Sequence, residues 1–122
     1  LSPHLQVYKP QITSVMSIIH RATGVVLALG SLVLAAWLVA AAGAPQTYAS
    51  FAGWMGSPVG KLALFVFSAC LVYHFLNGLR HLAWDTGRGY DIPKVYASGY
   101  TVLALSVVLT AALWWVALGG TP

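Results

Sequence analysis

Charge is scarce in this chain. Of 122 residues only 7% are Asp, Glu, Lys or Arg, and only two of those are acidic. A soluble domain of this length has no use for so much apolar surface, since 59% of the residues are hydrophobic and the mean hydropathy is +0.80. Cysteine is nearly missing too. Cys70 stands alone, which excludes an intrachain disulfide and any cluster held by four thiolates. It lies among apolar residues and reads as core packing. The six Lys and Arg give a net charge of +4, but they are scattered at segment ends and form no stripe for nucleic acid. They read as topology signals.

What the chain does have is three long apolar runs separated by short breaks. About 20 apolar residues cross the hydrocarbon core of a bilayer. The expectation is therefore one all-α integral membrane domain over 1–122, with three transmembrane helices at about 22–42, 59–84 and 98–118. A tail and polar helix start at 1–21 precede them as a cytoplasmic segment. The first run is too long, and too well preceded by polar residues, for a cleaved signal peptide. The chain begins at Leu1 rather than methionine, so an N-terminus trimmed of further residues is expected. In residues 1–11 two prolines disfavour a continuous helix, and this tail is expected on the membrane surface or against a partner.

The connection at 43–58 carries no charged residue but holds Tyr48, Phe51 and Trp54, which suit lipid headgroups. The connection at 86–97 holds Arg88, Asp91 and Lys94. With Lys9 and Arg21 in the tail, Arg80 nearby and only Lys61 on the other side, the positive-inside rule predicts a cytoplasmic or matrix-facing N-terminus. Trp114 and Trp115 then fall near the outer interface. The third run, plain Ala, Leu and Val, is expected to pack and nothing more.

Two stretches break the apolar pattern. Residues 73–85 place His74, Asn77, Gly78, His81 and Asp85 on one helical face at about 100° per residue, with Arg80 off that face. Ionisable groups at membrane depth are costly, so they read as functional. Residues 12–24 cluster Thr13, Ser17, His20, Arg21 and Gly24 on one face. Gly24 leaves room for a helix or a flat ligand to come close. The expected topology brings both faces to the same surface, where His20, Arg21, Arg80, His81 and Asp85 bound one polar site. His74 lies about 10 Å deeper than His81 at 1.5 Å per residue.

A membrane histidine is often just hydrogen-bonded to a neighbouring helix. Here His74 has a glycine one turn on and cationic groups beyond it toward water, which is the layout of a b-type haem site: imidazole for iron, Gly78 for the macrocycle, basic groups for the propionates. His74 and His81 share one face and cannot ligate one iron from opposite sides with bonds of about 2 Å, and His20 is expected at the wrong depth. A six-coordinate haem then needs a ligand from another polypeptide. Ser17, His20 and Arg21 fit a second role, donating to the carbonyl oxygens of a quinone, with His81 or Asp85 relaying protons. Plainer readings stand beside these. Ser17 satisfies its own helix backbone, Arg21 and Arg80 snorkel to the interface, Trp84 anchors there, and Asp85 pairs with Arg88 or Lys94 for about 0 to 1 kcal/mol.

The pattern Ser2-Pro3-His4-Leu5, Tyr8, Pro10, Thr13-Ser14, Ser17, His20-Arg21, Thr23-Gly24, followed by His74, Gly78, Arg80-His81, Trp84-Asp85 and Gly87, resembles the cytochrome b membrane-anchor subunits of succinate dehydrogenase, complex II of respiration. The match covers the tail and two of three spans, and lacks only the Arg-Pro pair that usually precedes Ser-Pro-His. The resemblance implies that His74 is an axial ligand of haem b, shared with a histidine of a second membrane-anchor subunit. It implies that His20 and Arg21 lie near the propionates, that Ser17 and Arg21 line a ubiquinone pocket, and that Asp85 is near the site of proton uptake. His81 and Gly78 join the haem-binding set. FAD and iron–sulfur clusters would reside only in the partner flavoprotein and iron–sulfur subunits. The implied place is the bacterial cytoplasmic membrane, or the mitochondrial inner membrane. A quinol:fumarate reductase anchor would carry the same motifs, and a small structural or transport protein is the rival from another class.

Overall fold

The structure is a computed structural model. It describes the backbone of residues 3–88 and 92–120, and the side chains of 14–88 and 93–120. Four helices follow one another: α1 Pro3–Ala42, α2 Pro45–Met55, α3 Pro58–Asp85 and α4 Ile92–Ala117. Three of them contain stretches long and apolar enough to cross a membrane: Ser14–Ala42, Pro58–Asp85 and Pro93–Ala117. No strand occurs among the described residues.

Local chemistry sets the boundaries. α2 and α3 each begin with proline at the first turn, where a missing N–H is harmless. Ser57 caps α3 by accepting from the Gly60 N–H at 3.2 Å. α3 stops at Gly87, whose positive φ of 82° lets Gly87 N–H donate to Trp84 O and Arg88 N–H to Ala83 O.

Three boundaries differ from expectation. α1 is unbroken from Pro3, so the prolines of the tail do not interrupt it; Pro10 removes only one backbone bond, close to a helix start. The first apolar span begins at residue 14 rather than 22, because Val15, Met16, Ile18 and Ile19 offset the polar face. The 43–58 connection holds the short helix α2, and α4 starts at residue 92 rather than 98.

α3 is the central element and packs on both α1 and α4. The buried core is small: Met16, Tyr73 and Val102, with Leu76 against them. No more than 17% of any span is buried, and Leu38, Val39, Leu62, Phe75 and Val107 point outward. Such faces need lipid or another chain around them. At the far end Trp114 Nε1 donates to Ser68 Oγ at 2.7 Å, so this tryptophan ties α4 to α3.

Candidate functional site

The polar residues of α1 and α3 meet where the two helices cross near the N-terminal end of the first span. His20 and His74 stack face to face, ring centroids 3.8 Å apart and planes 10° from parallel. His81 tilts against His20 at 5.4 Å, and Trp84 meets His81 edge-on at 5.1 Å. This corrects the expected depth of His20, which lies level with His74 rather than above it.

Hydrogen bonds assign the ring nitrogens. Thr23 Oγ1 donates to His20 O at 2.8 Å and lies 3.0 Å from His74 Nδ1. A hydroxyl has one hydrogen and a carbonyl can only accept, so His74 Nδ1–H donates to Thr23 and Nε2 keeps its lone pair. His81 Nδ1–H likewise donates to Asn77 O at 2.8 Å. Asn77 is 0% exposed, with one end 3.3 Å from Arg80 Nη1 and the other 3.2 Å from His20 Nδ1. Guanidinium groups only donate, so the amide oxygen faces Arg80 and Nδ2–H donates to His20. His20 therefore carries its hydrogen on Nε2.

Arg80 departs most from expectation. It is 6% exposed and turns into the junction of α1, α3 and α4 rather than out to the interface. Nε donates to Ser98 Oγ at 2.9 Å, Nη2 to Val95 O at 3.1 Å and Nη1 to Met16 Sδ at 3.5 Å, while Cζ lies 4.2 Å from the Trp84 ring centre. Tyr73 adds a bond from its hydroxyl to Met16 O at 3.0 Å. The third span thus supplies acceptors for a buried cation and does more than pack.

The other expected residues divide. Ser17 and Arg21 share one open concavity with Ser14 and Ile18. A Cβ on Gly78 would meet nothing within 4 Å, so its small size answers to no neighbour among the described residues. Asp85 is exposed at the end of α3, and no hydrogen bond joins it to the histidines among the described residues. Cys70 is half-buried and free. Expectation quoted Thr23 only within a motif and missed its contact with His74, the role of Asn77 and the burial of Arg80. The signal was present as i, i+3 spacing: 20/23 on α1, and 74/77/80 on α3.

Among the described residues no group of three or more His, Cys, Asp or Glu is arranged to hold a metal ion by itself. The fold and site define a three-span helical membrane protein with a histidine stack gripped between its first and second spans. The succinate dehydrogenase/fumarate reductase transmembrane subunit family matches residues 1–113. The succinate dehydrogenase cytochrome b556 subunit of Rickettsia prowazekii (strain Madrid E) is 42% identical over 113 residues, covering 93% of this chain and 88% of that one. The subunit of the same name from Paracoccus denitrificans is 40% identical over 109 residues, covering 89% and 84%. The mitochondrial succinate dehydrogenase cytochrome b560 subunit of Mus musculus is 36% identical over 115 residues, covering 93% and 68%. The chain belongs to the succinate dehydrogenase/fumarate reductase transmembrane subunit family, as a subunit of the succinate dehydrogenase cytochrome b type.

Proposed function

We propose that this chain is the haem b- and ubiquinone-binding anchor of a succinate:ubiquinone oxidoreductase in the bacterial cytoplasmic membrane, with its N-terminus in the cytoplasm. The observation that carries the reading is His74: its Nδ1 is committed to Thr23, and its Nε2 makes no hydrogen bond among the described residues. A neutral imidazole fixed in that tautomer is prepared to ligate a metal. Gly78, one turn on, borders space that no described side chain fills. These residues fit a haem: His74 would ligate its iron through Nε2, Gly78 would leave room for the ring, and His20, Arg21 and His81 would be the groups available to its carboxylates. When bound, haem supplies a one-electron centre. A second ligand would have to come from a partner anchor subunit.

Ser17 and Arg21 do the work at the quinone. Their hydroxyl and guanidinium would donate to its carbonyl oxygens, orient the ring and stabilise the negative charge that grows on oxygen as electrons arrive. Succinate oxidation releases two electrons and two protons. Flavoprotein and iron–sulfur subunits deliver the electrons, and quinone reduction takes up two protons, which Asp85 and His81 relay from the surface. The same residues serve either direction of flow; the names of the relatives favour succinate oxidation.

The test is a succinate-reduced minus oxidised optical spectrum of the purified complex. A b-type α-band that disappears in His74→Ala, with the subunits still assembled, supports the reading. An unchanged band in that variant removes it.

A further inference from the structure

The ring of His74 is held on three sides by residues of one helix turn of α1. Thr23, 7% exposed, takes the Nδ1 edge. Gly24 takes the Cε1 edge, where a Cβ would lie 3.3 Å from Cε1 and 3.9 Å from Nδ1. His20 covers one face. The Thr23 hydroxyl cannot turn to donate to the imidazole without giving up its bond to His20 O, so its oxygen is presented as an acceptor. A β-branched side chain in a helix has few χ1 choices, which fixes that oxygen further.

We propose that Thr23 is a positioning residue for the axial ligand: it holds His74 as the Nδ1–H tautomer, sets the plane of the ring and strengthens Nε2 as a donor to iron. The assignment rests on the haem reading above. An acceptor on Nδ1–H pushes electron density onto the ring and favours the oxidised metal. Thr23→Val removes the oxygen but keeps shape and branching, whereas Thr23→Ser keeps the oxygen.

The experiment compares Thr23→Val, Thr23→Ser and His74→Ala in the purified complex. Three quantities are read: haem retained per flavin, the midpoint potential of the haem in a redox titration, and the largest g value of the oxidised haem by electron paramagnetic resonance. Thr23→Val is expected to bind haem about 10-fold more weakly or worse, with a higher midpoint potential and a shifted g value. Thr23→Ser is expected to return all three toward the parent. A Val variant that matches the parent in potential and g value overturns the assignment, and so does a Ser variant no better than Val. If Thr23→Val retains no haem, recovery by Ser supports the assignment and failure to recover overturns it. Loss of haem in His74→Ala with a silent Thr23→Val removes only the role of Thr23; a haem untouched by His74→Ala removes the ligand itself.

Discussion

His20 and His74 lie ring on ring, 3.8 Å apart and nearly parallel. Two axial imidazoles point end-on at an iron from opposite sides, each about 2 Å from it, so a face-to-face pair cannot be a ligand pair. Orientation, rather than depth, is thus what argues against His20 as a second ligand. His20→Ala should lower haem retention while leaving the remaining haem six-coordinate and low-spin. A high-spin signal in that variant, measured by electron paramagnetic resonance, would make His20 a ligand after all.

Ser17 and Arg21 share a concavity apart from the histidine stack. Ser17→Ala should slow ubiquinone reduction about 10-fold or more, by analogy with loss of one donor to a developing oxyanion, while succinate-driven reduction of an artificial dye stays at the parental rate. Arg21→Leu should do the same and more. Equal loss of both activities, with the complex intact by gel filtration, would count against a quinone role.

Arg80 has acceptors on three helices; removing it leaves the buried Asn77 amide oxygen without its donor, whereas Val95 O still accepts from the Ser98 hydroxyl. Each buried group left unsatisfied costs about 1–3 kcal/mol. Arg80→Leu should lower the thermal midpoint of the complex in detergent, and Arg80→Lys should recover little, because one ammonium does not reproduce a planar fork. A midpoint unchanged in Arg80→Leu would show that the junction does not depend on this cation.

Gly60 and Gly78 sit on the same helix and should respond in opposite ways. A Cβ on Gly60 runs into the backbone carbonyls of Trp54 and Met55, which no side-chain rotation relieves. Gly60→Ala should destabilise by about 1–3 kcal/mol. Gly78→Ala meets open space and gains helix propensity worth up to about 1 kcal/mol. Its expected defect is in haem content, read from the pyridine haemochrome, with thermal stability preserved. Full haem in Gly78→Ala would detach that glycine from the cofactor.

The spans were legible because apolar runs and helix-ending glycine report length and boundary directly, as at Gly87. The polar residues of the candidate site could be picked out as types, His20, His74, Ser17 and Arg21 by spacing, while their proposed roles came from the family resemblance as well. Relations between helices were not. A helical wheel places Arg80 off the His74 face and stops there; it cannot say that α4 brings Val95 O and Ser98 to meet it. The depth of His20 was misread for a related reason. Depth was counted from an apolar run that was taken to start at residue 22, whereas the span begins at Ser14. The helical tail escaped because proline rules describe local preference, and an unbroken α1 overrides that preference at Pro10.

Synthesis runs from α1 to α4, and the acceptors Val95 O and Ser98 are made after the guanidinium that needs them. Until α4 arrives, α3 carries an arginine near its C-terminal end whose acceptors on α4 are not yet made, and a long basic side chain at a helix end reaches for water. Closing the bonds to α4 draws it inward. The expectation is that the last helix closes over position 80: in a Cys70→Ser background, an Arg80→Cys thiol should be open to a water-soluble reagent in a chain halted after residue 91 and covered by α4 in the full chain.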